Sequence, residues 1–172
     1  CRLGEICQNV GLPNGVLNIV HGQGNISGDA LVSHEKIKAI SFTGGTTTGK
    51  VIAEKTASSF KKLSLEMGGK NPAIIFADCD YKKMLNTLVR SSFSNQGQIC
   101  LCSSRILVEK SIYDKFKRDF VQRVSELKVG DPLNEGTQFG ALTSQGHFDK
   151  VLDFIEIAKQ EGGNVLTGGN SK

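Results

Sequence analysis

Three groups of residues have types and spacing that could do chemistry. The segment Asn95-Gln96-Gly97-Gln98-Ile99-Cys100-Leu101-Cys102 places a cysteine after a polar, glycine-containing turn. A thiolate nucleophile needs access and a positive or dipolar environment, which such a turn can supply. The competing assignment is a buried structural thiol. Cys100 and Cys102 could also form half a metal site, yet no second Cys/His pair at zinc-type spacing follows, so no metal is expected. His21, His34 and His147 stand alone in the chain and read as surface or loop residues. Glu66 ends a run of alternating polar and apolar residues just before Gly68-Gly69. A carboxylate there is either a solvated strand end or a general base at a domain junction.

The third group is glycine. Gly22-Gln23-Gly24-Asn25-Ile26-Ser27-Gly28 follows a β-like run and precedes a helix-like one, where backbone N–H groups can face a phosphate. Its last glycine falls one residue late for the usual dinucleotide fingerprint. Gly44-Gly45-Thr46-Thr47-Thr48-Gly49 repeats the arrangement: glycines permit close backbone approach, threonines offer hydroxyls, and a helix N-terminus favours an anion. Either loop alone could be a plain strand-to-helix turn. Two in tandem favour a nucleotide.

The elements that must position these residues alternate short β-like runs with amphipathic helices, the signature of an α/β fold. Leu3, Ile6, Cys7 and Val10 have helical spacing and stop at Gly11. Pro13-Asn14-Gly15 reads as a turn and Val16 to Val20 as a buried strand. A short helix to about Ser33, a strand from Ile37 to Phe42, a helix from Thr46 to Ala57 and a strand from Lys62 to Glu66 follow. After Gly68-Gly69, the expected domain boundary, come a strand at Ala73 to Phe76 and a helix to Phe93 capped by Asp78 or Asp80. A strand from Ser104 to Glu109 leads to a helix from Ser111, with Ile112, Phe116, Phe120 and Val124 at four-residue spacing. Gly130-Asp131-Pro132 is expected to close that helix, and a last one runs from about Ser144 to Gln160.

Composition excludes several classes. With 38% hydrophobic and 22% charged residues among 172, the chain is neither disordered nor membrane-embedded in type. Its net charge of +4 comes from interleaved basic and acidic residues, with no basic block for nucleic acid. Five cysteines, an odd count, suit free thiols in a reducing compartment, by default the cytoplasm. The start at Cys1-Arg2-Leu3 and the glycine-rich end before Lys172 read as the edges of an internal piece of a longer protein.

Taken together, these segments resemble the aldehyde dehydrogenase superfamily along essentially the whole chain. Leu65-Glu66-Met67-Gly68-Gly69-Lys70-Asn71-Pro72 is similar to its glutamate signature, and Phe93-Ser94-Asn95-Gln96-Gly97-Gln98-Ile99-Cys100 to its cysteine signature, with Cys100 lying 34 residues past Glu66. Phe42-Thr43-Gly44-Gly45 looks like the cofactor loop, and Asn18-Ile19-Val20-His21-Gly22-Gln23-Gly24 like the turn before it. The resemblance implies residues 1–67 as the C-terminal part of a Rossmann-like NAD(P)-binding domain and 68–172 as the N-terminal part of an α/β catalytic domain. It implies Cys100 as nucleophile and Glu66 as general base, with Gly22, Gly24, Gly44 and Gly45 along the cofactor and Met67 beside the nicotinamide. NAD is the cofactor the resemblance implies, with NADP allowed; a small-molecule aldehyde is the expected substrate, and a homo-oligomer the expected state of the full-length protein.

Within the superfamily, Arg90-Ser91-Ser92-Phe93 and Cys100-Leu101-Cys102 look most like the muconic semialdehyde dehydrogenases, with betaine aldehyde dehydrogenases as near neighbours in pattern. Gly45 stands where many members have Ser, and Asn25 where a Pro often follows the second glycine. The family's oxyanion Asn and its ribose-binding residues are expected outside this chain, so the isolated polypeptide is expected to be inactive. Two other classes compete: an inactive, crystallin-like relative and a thiol acyltransferase without nicotinamide. Cys100 and Glu66 together count against the first, and the paired glycine turns against the second.

Overall fold

The computed structural model describes residues 1–171. Helix α1 (Arg2–Asn9) ends ahead of Gly11, whose φ of 84° is the left-handed turn a glycine stop provides. The run Val16 to Val20, expected as a buried strand, forms no ladder, and Val16 and Val20 are 65% and 62% exposed. β-prone residues become a strand only when their backbone groups find a partner, and none pairs with this run among the described residues.

A single π-type turn (Gly24–Gly28) leads into α2 (Asp29–Ser33). Lys61 Nζ donates to the carbonyls of Val32 and His34 at 2.5 and 2.8 Å, placing a cation where the end of α2 is negative. Strand β1 (Ala39–Gly44), helix α3 (Thr46–Thr56) and strand β2 (Lys62–Met67) form a β–α–β crossover with parallel strands. Its register pairs Ile40 with Leu63, Phe42 with Leu65 and Gly44 with Met67, so these six residues share one face. The opposite face carries Ser41 and Thr43 beside Ser64 and Glu66, all exposed. In α3, Ile52 is buried, and Thr56 hides its hydroxyl by donating to Ile52 O at 2.8 Å.

The division into two compact units falls between Met67 and Gly68. In the second, β3 (Asn71–Ile75), α4 (Tyr81–Phe93) and β4 (Ser103–Val108) make another parallel crossover. Asp80, one of the two expected caps, accepts from Lys83 N at 3.2 Å. A 3₁₀ turn at Lys110–Ile112 precedes α5 (Tyr113–Ser125), so the α-helix begins two residues after Ser111 and ends before the Gly130 region. Helix α6 (Gln145–Gln160) is capped by Ser144, which accepts from His147 N at 3.3 Å. The core gathers Ile75, Leu88 and Phe116, with Ile106, Ile112 and Phe120 against them, and the Phe116 and Phe120 rings stack at 5.2 Å. The four-residue spacing of α5 thus does what its pattern predicts. No helix among the described residues is long and apolar enough to cross a membrane.

Tyr81 links α4 to α5 by donating to Asp119 Oδ2 at 2.8 Å, while Lys115 Nζ stands 4.1 Å from its ring centroid. Burial, reinforced by the bond to Asp119, pushes the phenol up from 10.0 to about 12. A raised folded-state value means the contribution is complete below pH 10 and disappears as pH climbs through about 12. In alkaline unfolding titrations the parent should therefore lose stability more steeply across that window than Tyr81→Phe; equal slopes would refute the coupling. Phe116→Ala should cost about 3–5 kcal/mol in denaturant unfolding, and a loss below about 1 kcal/mol would mean the ring is not central to the core.

Candidate active site

Cys100 sits in the connection that carries the chain from α4 into β4. After α4 the backbone makes a tight reversal in which Asn95, Gln96 and Gly97 take φ of 50°, 55° and 76°. Left-handed backbone costs a non-glycine residue about 1–2 kcal/mol, so two such residues before the glycine need support. Gln96 Nε2 donates to Gly140 O at 3.2 Å, and Ser94 Oγ caps Arg90 O at 2.6 Å. A turn then closes through Cys102 N–H to Ile99 O at 2.9 Å. From it Cys100 emerges exposed, whereas Cys102 is 7% exposed and points its thiol at Ser94 O, 3.7 Å away. Cys100 is therefore accessible, and the enclosed thiol of the pair is Cys102. The Cys100 backbone N–H donates to no acceptor among the described residues.

Asn71, at the first position of β3, donates from Nδ2 to Cys100 O at 2.6 Å and to Cys102 O at 3.2 Å. Sequence reasoning passed over this residue. Its only trace was its place in the Gly68-Gly69-Lys70-Asn71-Pro72 motif, because a contact across 29 residues has no local signal.

Glu66 is exposed near the end of β2, beside Thr43 in the register. Met67 pairs with Gly44, and its thioether lies over α3, where a Cβ built on Gly49 would stand 2.5 Å from Sδ. Gly22 owes its identity to crowding: a Cβ there would fall 1.8 Å from Ser27 Oγ. Gly44 is likewise covered by the Phe42 ring at 2.5 Å. Gly24, Gly28 and Gly45 are different, since a Cβ at any of them would meet nothing within 4 Å. Gly24 and Gly28 line an open cleft of about 770 Å³ with Asp29, Thr47, Thr48 and Lys55. Lys55 pairs with Asp29 there. Glycine backbone, threonine hydroxyls and the N-terminal turn of α3 are the polar donors a phosphate would need, while Leu31, Val32, Ile40, Phe42, Val51 and Ile52 make the rest of the lining apolar. Gly45 caps α3 next to this cleft; Gly22, Gly44 and Met67 are not among its lining residues. No cluster of metal-ligating side chains occurs among the described residues.

The sequence pattern of the aldehyde dehydrogenase family matches residues 1–172. The chain belongs to the aldehyde dehydrogenase family. It is 51% identical over 164 residues to the 2-aminomuconic semialdehyde dehydrogenase of Danio rerio, covering 95% of this chain and 34% of that one. Against the 5-carboxymethyl-2-hydroxymuconate semialdehyde dehydrogenase of Escherichia coli, identity is 44%, with 99% of this chain and 36% of that one covered. Among solved structures, HpcC of Thermus thermophilus superposes with a TM-score of 0.96 at 40% identity, over 99% of this chain and 33% of that one. The betaine aldehyde dehydrogenase of Staphylococcus aureus, solved in complex with NAD+, gives 0.94 at 36% identity, over 99% and 34%. The aldehyde dehydrogenase chain described here thus spans about a third of the length of these relatives. Its α/β fold is that of the aldehyde dehydrogenases.

The contrast between the two neighbouring thiols is directly testable. Brief treatment with limiting iodoacetamide, located by fragment-ion mapping, should modify Cys100 well ahead of Cys102. The reverse order would assign the accessible thiol to the wrong residue.

Proposed function

We propose that the full-length aldehyde dehydrogenase containing this chain oxidises a muconic-type semialdehyde to a carboxylic acid with NAD, using Cys100 as nucleophile and Glu66 as general base. The observation that carries the reading is an exposed Cys100 thiol beside a backbone N–H with no partner among the described residues. The thiolate attacks the aldehyde carbon, and the oxygen becomes an alkoxide that the Cys100 N–H is free to receive. NAD, when bound, supplies the acceptor for the hydride whose loss converts the thiohemiacetal to a thioester. Glu66 takes a proton from the water that hydrolyses this thioester, releasing the acid and freeing Cys100.

Residues 1–67 serve in this reading as the C-terminal part of the NAD-binding domain and 68–172 as the N-terminal part of the catalytic domain. Gly22, Gly24, Gly44, Gly45 and Met67 are assigned to the cofactor, with the open glycine edge at Gly24 as the strongest support. The muconic substrate class rests on relatives at 51% and 48% identity that are named as 2-aminomuconic semialdehyde dehydrogenases. A homo-oligomer in the cytoplasm completes the proposal, in keeping with five unpaired cysteines.

The test uses the full-length enzyme and 2-aminomuconic or 2-hydroxymuconic semialdehyde. Cys100→Ala should abolish NADH formation. Glu66→Gln should keep the first-turnover burst and lose about 10²–10⁴-fold in steady-state rate, as expected for removal of a general base from deacylation. Turnover of other aldehydes alone would keep the mechanism and discard the substrate, whereas activity surviving in Cys100→Ala would sink the mechanism itself.

A further inference from the structure

We propose that Asn71 is the positioning residue of the nucleophile, its carboxamide fixing the backbone of Cys100 so that thiol and N–H act on one carbonyl; the inference rests on Cys100 being that nucleophile. The argument is about peptide planes. The plane joining Ile99 to Cys100 carries the Cys100 N–H at one end and the Ile99 carbonyl at the other. That carbonyl is held by Cys102 N–H at 2.9 Å. The plane joining Cys100 to Leu101 is held through Cys100 O by Asn71 Nδ2 at 2.6 Å. A second bond from the same nitrogen, to Cys102 O at 3.2 Å, ties the exit of the turn to the same side chain. Peptide planes are rigid, so fixing one on each side of Cys100 fixes its φ and ψ. The direction of the Cys100 N–H and the base of its side chain follow.

A carboxamide suits this task. Nδ2 offers two N–H donors at a fixed angle, and both are used on carbonyls. An aspartate of the same shape would have no donor and would set a negative charge against two carbonyl oxygens. The support also has something to resist, since the left-handed residues Asn95 and Gln96 lie just upstream of the turn. Because Asn71 starts β3, next to Ser103 at the start of β4, it holds the turn from a strand and not from another loop.

The experiment measures three properties of the full-length enzyme and its Asn71→Asp and Asn71→Ser variants: thermal stability, the single-turnover rate of NADH formation, and the pH dependence of Cys100 alkylation. A serine hydroxyl can donate only one bond, which makes it the milder variant. Both variants should lose about 10- to 100-fold in single-turnover rate, the scale of a small misplacement of reacting groups, with NAD binding unchanged. Only Asn71→Asp should also move the alkylation midpoint to higher pH, because its charge opposes the thiolate. A purely structural role would lower the melting temperature while leaving rate and midpoint in place. If either variant folds and reaches the parental single-turnover rate, the proposal is overturned. Should Cys100→Ala stay active, the nucleophile assignment fails first; should it be dead while the Asn71 variants are fully active, this inference alone fails.

Discussion

Parallel strand pairing is the constraint on which the rest of this structure depends. Two parallel neighbours cannot be joined by a tight hairpin; the chain must leave one end of the pair and return to the other. Each unit solves this with a helix, α3 between β1 and β2, and α4 between β3 and β4. The return dictates what becomes adjacent. In the first unit both strands run to the same end, so Gly44 and Met67, like Thr43 and Glu66, are neighbours in space although more than 20 residues apart in sequence. In the second, the crossover must come back to the end where β3 begins, so the segment entering β4 meets Asn71. The contact between Asn71 and Cys100 is therefore a product of topology.

The return path also explains the unusual backbone ahead of Cys100. Helix α4 stops at Phe93 and β4 starts at Ser103, leaving a short connection to reverse direction and present a side chain outward. Successive left-handed residues turn the chain sharply in little length, and glycine supplies this freely only at Gly97. At Asn95 and Gln96 the conformation has to be supported, which the Gln96 bond to Gly140 O helps to do. Outward presentation of one thiol is bought with local strain.

What the sequence made legible follows from which interactions are local. Helices with strong spacing, such as α5, and caps such as Asp80 and Ser144 depend on residues three or four positions apart, and they form close to where they were expected. The strands at β1 to β4 were legible because each lies in an alternating or apolar run that finds a parallel partner. Val16 to Val20 has the same composition and no partner among the described residues, and composition alone cannot distinguish the two cases. The start of α5 was misplaced because Lys110 to Ile112 tightens into a 3₁₀ turn, a difference of hydrogen-bond spacing that side-chain periodicity does not record. For the candidate site, the cysteine and glutamate motifs were readable as residue types, while the support from Asn71 and Gln96 was not.

The two cysteines at 100 and 102 show how much of the chemistry depends on geometry that residue type leaves open. They share a side chain and lie on either side of Leu101. The turn closed by Cys102 N–H sends the first outward, and the entry into β4 buries the second against Ser94 O. The buried thiol is closed off from any reactant and spends its hydrogen on a backbone carbonyl. The exposed thiol is open to approach from outside the chain. Accessibility at Cys100 and enclosure at Cys102 therefore arise from one turn, and which thiol is presented is set by the backbone that holds it.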